Sequence, residues 1–124
     1  MSDAVRVLHD VQPLISDDTS VPDGVVWRLT EPGRQLDANV LHLSPGRTID
    51  THTEPDLDVL LVVVAGTGRV ESAGDAVTLT AGNLVWLPRG STRRLVAGAG
   101  GLSYLTVHRR RSGMQIGSGP PPAP

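Results

Sequence analysis

Short apolar segments alternate with turn residues along most of this chain. The segments are rich in Val, Leu and Ala, and Gly, Pro, Asp and Asn separate them. This is the pattern of about eight or nine short strands joined by tight turns. The predicted strands are Val25–Leu29, Leu36–Leu43, Thr48–His52, Leu57–Ala65, Arg69–Ser72, Ala76–Thr80, Leu84–Leu87, Thr92–Ala97 and Leu102–His108.

The spacing of these strands predicts an all-β fold, a single antiparallel β-barrel or jelly roll. No helical pattern long enough for a βαβ unit separates them. Residues 57–65 are apolar at both parities, which predicts a central strand covered on both faces. Gly66-Thr67-Gly68 predicts a hairpin turn after that strand.

The pattern divides the chain into three parts. Residues 1–24 are predicted to be an N-terminal arm, either extended or carrying a short helix after Asp3. Residues 25–111 are the predicted barrel domain. Residues 112–124 are rich in Gly and Pro with almost no charge, which predicts a disordered tail.

Composition supports this picture and excludes some classes of function. The chain has 124 residues, which suits one domain, with 14 Gly, 10 Pro and no Phe. The absence of Cys excludes disulfides, thiolate nucleophiles and Cys-based zinc sites. A net charge of −2 argues against nucleic-acid binding. No signal peptide or membrane-spanning segment is visible, so a cytoplasmic protein with no membrane partner is expected.

Two groups of residues carry candidate chemistry. Gly46 precedes His52 and Glu54, and Asp58 follows. About thirty residues beyond His52, Gly82, Pro88 and Gly90 bracket a short apolar strand, with Arg93 shortly after. Residues two apart on a strand project to the same face, so His52 and Glu54 share one face. Asp58 joins them if the strand has no bulge.

These two groups resemble the two sequence motifs of the cupin family, which are small β-barrels that often hold a metal inside. The resemblance covers roughly residues 36–108. The turn positions Gly46, Gly82, Pro88 and Gly90 match, whereas the ligand positions do not all match. Glu54 stands at the second His position of the first motif, and Arg93 at the His position of the second. Counted back from Gly66, Val59 rather than Asp58 occupies the family's Glu position, and a slip of one residue reverses the face.

Two interpretations of the candidate residues stay open. His52, Glu54 and Asp58 could together hold Fe(II), Mn(II) or Zn(II). Arg93 opposes this, because a guanidinium has no lone pair for a metal and would be repelled by one. In the second interpretation Arg93 replaces the metal and neutralises a pocket carboxylate, Glu54 before Asp58. The second interpretation predicts no cofactor and a partly buried Arg93–Glu54 ion pair.

The functional hypotheses follow from these interpretations. The first is a cupin-type barrel that binds a small polar or anionic molecule through His52, Glu54, Asp58 and Arg93, as a sensor or accessory protein. The alternative is a metal-dependent cupin enzyme of the dioxygenase or isomerase type. The resemblance also implies a homodimer paired through sheet edges. Trp86 is expected to pack between sheets or beneath a partner subunit.

Overall fold

The computed structural model describes residues 4–16 and 21–111, and nearly all of their regular structure is β-strand. The helix α1 is a single turn, Gln12–Ile15, with a proline at its start. The strands are β1 (Gly24–Arg28), β2 (Leu36–Leu43), β3 (Thr48–Thr53), β4 (Val59–Ser72), β5 (Asp75–Thr80), β6 (Leu84–Leu87) and β7 (Thr92–Arg109). Within the described chain, no helix is long and apolar enough to cross a bilayer.

All strand pairs are antiparallel, and the two longest strands organise the sheet. The hydrogen-bonded order is β1-β2-β7-β4-β5, with β3 also pairing β7 and β6 also pairing β4. The predicted all-β antiparallel fold is therefore confirmed. Among the described residues the sheet does not close into a continuous hydrogen-bonded ring, so the architecture is a curled sheet folded over its own core.

The sequence misplaced two turns. Gly66-Thr67-Gly68 was expected to be a hairpin turn, but β4 continues through it from Val59 to Ser72. Residues 98–101 were expected to separate two strands, but β7 continues through them as well. These glycines mark irregularities in the ladder, including a register shift between Gly66 and Gly68. Glycine in a strand often marks a bulge or a close backbone contact rather than a chain reversal.

The physical reason for these glycines is that β4 and β7 touch backbone to backbone. A Cβ added to Gly66 would lie 2.1 Å from the carbonyl oxygen of Gly101, and one added to Gly68 would lie 2.5 Å from that of Val96. Gly66 also has a φ of +82°, which side chains disfavour. Both long strands therefore bend where no side chain fits between them.

The bends enclose one apolar core between the two halves of the curled sheet. On β7, Leu95, Ala97, Leu102 and Tyr104 all face inward. The buried core comprises Leu41, Leu43, Val59, Leu61, Val63, Val70, Leu79, Leu87, Leu95, Ala97, Leu102 and Tyr104.

At the N-terminal side, the described residues 4–11 form neither helix nor strand, and His9 stacks on Trp27 with ring centroids 5.6 Å apart.

We expect Gly66→Ala to destabilise the protein far more than Gly74→Ala does. Both glycines have positive φ, +82° and +85°, but a Cβ at Gly74 meets nothing within 4 Å. Gly74→Ala should cost about 1 kcal/mol of unfolding free energy for its backbone conformation. Gly66→Ala adds a backbone clash and should cost about 3 kcal/mol or more. Denaturant unfolding of the two variants measures the difference, and equal losses would contradict the close approach of β4 and β7.

Candidate functional site

The strand β7 carries Arg93 into the interior. Arg93 lies two residues before Leu95, so both side chains project to the same face of the strand, and Leu95 belongs to the core. Arg93 is 1% exposed and is among the largest fully buried side chains of the described chain. A guanidinium is almost never fully buried unless it is paired. The hydrogen-bond and ion-pair partners of Arg93 therefore determine the chemistry of this interior.

The Arg93 guanidinium is only partly satisfied. Its Nη1 donates to Ser91, to the hydroxyl oxygen at 3.1 Å and to the carbonyl oxygen at 3.4 Å. Its Nε and Nη2 are buried and have no hydrogen-bond partner in the structure. Burial lowers the pKa of Arg93, while the nearby Glu54 carboxylate acts in the opposite direction. Arginine nevertheless stays protonated in proteins, so the interior holds a positive charge with two free donor nitrogens.

His52 faces Arg93 across the neighbouring strand. The two residues are direct partners in the β3–β7 ladder, and directly opposed residues share one face with Cβ atoms about 5 Å apart. Nδ1 of His52 lies 3.1 Å from the carbonyl oxygen of Asp50. Nε2 of His52 is buried and, like Nε and Nη2 of Arg93, has no hydrogen-bond partner. Unpartnered nitrogens of the two side chains thus face one interior region.

Glu54 lies just beyond β3 and is 5% exposed. One carboxylate oxygen accepts the backbone N–H of Asp56 at 2.8 Å, and the other is ion-paired with the guanidinium of Arg111. Burial raises the pKa of Glu54, but the Asp56 amide and Arg111, helped by the Leu57 amide, bring that pKa below its usual value. Glu54 is therefore held as a carboxylate.

The expected Arg93–Glu54 ion pair is absent. Among the described residues, the ion-pair partner of Glu54 is Arg111, and Arg93 has no carboxylate within salt-bridge distance. Glu54 acts on Arg93 through electrostatics alone. Arg93 and Glu54 do lie in one region, as expected, but the predicted ion pair between them is wrong. Arg111 belongs to a run of three arginines, and nothing in the local pattern distinguishes it from Arg109 and Arg110.

Asp58 does not join the interior group. Its neighbours Leu57 and Val59 are buried, while its own carboxylate accepts the backbone N–H of Arg89 at 2.9 Å and pairs with that guanidinium at 3.2 Å. The count back from Gly66 had placed Val59 at the inward position, and the structure agrees with that count. Asp58 instead contributes to an open surface cavity of about 310 Å³ with Asp56, Arg89 and Arg109.

The described residues therefore do not assemble the ligand set for a metal. No group of three or more His, Asp or Glu side chains in residues 4–16 and 21–111 lies close enough together to hold an ion. His52 offers one free nitrogen, Glu54 is engaged by Arg111, and Asp58 is engaged by Arg89. The buried Arg93 cation opposite His52 would also repel a divalent ion. These residues do not fit the metal that the cupin resemblance implies.

Sequence reasoning also missed Tyr104. Its side chain is fully buried, its hydroxyl has no hydrogen-bond partner, and burial raises the pKa of that hydroxyl. A buried tyrosine hydroxyl usually finds a partner. The available signal was a lone tyrosine at the inward parity of an apolar strand, between Leu102 and Thr106. Tyr104 is a third interior side chain with unused hydrogen-bonding capacity.

The two remaining histidines on the strands are engaged elsewhere. Nδ1 of His42 lies 2.8 Å from the hydroxyl of Ser103, and His42 borders a cavity of about 280 Å³ beneath α1. Nδ1 of His108 donates to the carbonyl of Arg109 at 2.7 Å. Both histidines therefore have hydrogen-bond partners of their own.

Known structures share this architecture at low sequence identity. No protein-family model matches the sequence, and no curated protein matches it significantly. A cupin 2 conserved barrel domain protein from Salinispora arenicola is 15% identical, with a TM-score of 0.65 over 89% of this chain and 92% of that one. The cupin domain of Cnp3 from Schizosaccharomyces pombe is 13% identical, with a TM-score of 0.62 over 69% of this chain and 64% of that one.

An enzyme is also among the similar structures. A sugar phosphate isomerase of the cupin superfamily from Silicibacter pomeroyi is 20% identical, with a TM-score of 0.58 over 63% of this chain and 52% of that one. The chain spans less than two thirds of the length of this protein and of the Cnp3 domain. Likeness at such identities shows the fold alone. The chain has the cupin fold, and the predicted fold class is confirmed.

Proposed function

We propose that this protein is a small cupin-type domain that binds a small polar or anionic molecule inside its barrel, as a sensor or accessory protein without turnover. One observation carries the proposal: Arg93 is 1% exposed, and its Nε and Nη2 have no partner. A buried donor left unpaired costs about 1–3 kcal/mol, and more when it is charged. An anion bound at this edge would remove that cost.

The charge balance of the interior supports an anion. Two guanidiniums, those of Arg93 and Arg111, lie in the region of one carboxylate, that of Glu54. Arg111 neutralises Glu54 directly, which leaves the charge of Arg93 uncompensated. In a region shielded from water such a charge attracts an anion more strongly than it would at the surface.

The metal-dependent alternative has less support. It requires His52, Glu54 and Asp58 to converge on one ion, and Asp58 is bonded to Arg89 on the surface. The isomerase named above has the same fold, but fold does not determine activity. We therefore propose a barrel without a resident Fe, Mn or Zn ion.

We expect Arg93→Met to abolish anion binding while raising the stability of the ligand-free protein. Replacing a buried, poorly paired charge with an apolar side chain of similar length stabilises a protein by about 1 kcal/mol or more. Acetate, phosphate and sulfate should each be tested for raising the Tm, with chloride at matched ionic strength as reference. At least one should stabilise the wild type and none should stabilise Arg93→Met.

Arg94→Met is the matched control for this experiment. Arg94 is the next residue on β7, lies partly exposed on the other face and pairs with Glu71 at 2.8 Å. Loss of such a surface pair costs about 0.5 kcal/mol and should leave anion binding unchanged. A strongly destabilised Arg93→Met protein, or one that keeps the anion-dependent rise in Tm, would contradict the proposal.

We expect the protein, purified without added metal or chelator, to contain far less than one equivalent of iron, manganese or zinc. The reason is that the described residues supply one free imidazole nitrogen beside a cation rather than three converging ligands. Elemental analysis by plasma mass spectrometry measures this directly. One tightly bound ion per chain that is lost in His52→Ala would overturn the proposal in favour of the metal-dependent alternative.

We also propose that the protein is a homodimer, formed through a sheet face rather than through sheet edges. Trp86 was expected to pack between sheets or beneath a partner subunit. Its 61% exposure excludes the first alternative and leaves the second, and Leu84 beside it is 71% exposed. Trp86 is paired with Leu60, and Leu60 with Val107, so these side chains share the outer face of β6, β4 and β7. A contiguous exposed apolar patch of this kind is typical of an interaction site.

We expect Trp86→Glu to convert a wild-type dimer into a monomer. A charge at the centre of an apolar interface should weaken association about a hundredfold or more. Analytical ultracentrifugation at micromolar concentration measures the distribution. Val77→Glu is the control, since Val77 is 55% exposed on β5, which pairs with the opposite end of β4 from Trp86. A monomeric wild type, or a Trp86→Glu protein that stays dimeric, would rule out this face.

A further inference from the structure

We infer that the ligand is a monocarboxylate that also carries a hydroxyl or another hydrogen-bond donor, in the simplest case a hydroxy acid. Arg93 binds the carboxylate and His52 accepts the donor hydrogen. This inference rests on the proposed anion-binding function and deepens it by naming the class of ligand.

The free edge of Arg93 has the geometry for a carboxylate. Nη1 is used by Ser91, whereas Nε and Nη2 are both free. The N–H groups of Nε and Nη2 point the same way from the planar guanidinium, and two parallel N–H donors match the two oxygens of a carboxylate. Ser91 thus holds the guanidinium by its third nitrogen and leaves the bidentate edge buried without a partner.

Nε2 of His52 offers a ligand a lone pair rather than a hydrogen. Nδ1 lies 3.1 Å from the carbonyl oxygen of Asp50, and a carbonyl can only accept. Nδ1 must therefore carry the proton, which in the neutral ring leaves Nε2 as an acceptor. Nε2 is buried and has no partner, so it requires a donor from the ligand. A plain carboxylate has none to offer, whereas a hydroxy acid has its O–H.

The position of the two side chains in the ladder suits their binding of one small molecule. His52 and Arg93 are directly opposed in the β3–β7 ladder, and side chains of such pairs contact each other or a shared neighbour. The donor and the carboxylate should therefore be separated by about one or two carbon atoms, as in a 2- or 3-hydroxy acid.

Charge favours a carboxylate over a phosphate. After Arg111 neutralises Glu54, one positive charge remains, that of Arg93. A monocarboxylate cancels it, whereas a dianionic phosphate would leave an uncompensated negative charge out of contact with water, which is costly. The lone pair of His52 would also repel a phosphate oxygen that carries no hydrogen.

The test compares matched acids with and without a hydroxyl. Binding of propionate, lactate and 3-hydroxypropionate, and of hexanoate and 2-hydroxyhexanoate, is measured by titration calorimetry at one fixed pH. At least one hydroxy acid should bind about tenfold more tightly than its parent acid, as expected for one additional buried hydrogen bond. Phosphate and sulfate are measured alongside.

Variants of His52 assign the effect to its side chain. His52→Leu removes the acceptor, so the hydroxy acid and its parent acid should bind equally. His52→Gln retains an acceptor oxygen and should keep part of the preference. His9→Leu is the control, because His9 lies at the surface against Trp27 and should leave the preference unchanged. Circular dichroism of each variant establishes that it is folded.

The outcomes separate this inference from the function on which it rests. Equal, Arg93-dependent binding of hydroxy and parent acids would overturn the hydroxy-acid inference and leave the anion-binding proposal intact. Arg93-dependent binding of phosphate or sulfate in preference to every carboxylate would do the same. Failure of every anion to bind in an Arg93-dependent way would overturn both.

Discussion

The close approach of β4 and β7 is the constraint on which the rest of this structure depends. The two strands meet at glycines because the carbonyl oxygen of Gly101 occupies the space that a side chain at Gly66 would need. This contact lets both long strands bend, and each then contributes to both halves of the curled sheet. The same strand β7 therefore carries Arg93 near one end and Tyr104 beyond the bend, both with side chains in the interior.

Unused hydrogen-bonding capacity is concentrated in that interior. The buried side-chain atoms without partners in the described chain are Nε2 of His52, Nε and Nη2 of Arg93 and the hydroxyl of Tyr104. Buried polar groups are nearly always satisfied in native proteins, and all four atoms belong to inward-facing residues of β3 and β7. Elsewhere charges are paired at the surface, as in Arg89–Asp58 and Arg94–Glu71. Unpartnered polar atoms thus distinguish the interior from the surface.

Much of the fold follows from local patterns, whereas the site depends on distant contacts. Alternating apolar segments and turn residues predict β2, β5 and β6 closely, because those signals are local. Gly66 was misread because a glycine that permits a turn and one that permits a backbone contact look alike in sequence. Asp58 depended on a register that shifts by one residue. The partner of Glu54 could not be found, since Arg111 reaches it from 57 positions away.

Arg93 gives the departure from the cupin motif a chemical meaning. Histidine at that position offers an electron pair and suits a metal cation, whereas arginine offers N–H groups and a fixed positive charge. Under the proposed function, arginine at this position suits an anion rather than a metal cation, while the turns and strands remain in place. Glu54, which could repel an anion, is neutralised by Arg111, and Asp58 is turned away to Arg89. All three departures therefore support the proposal that the interior takes an anion rather than a metal cation.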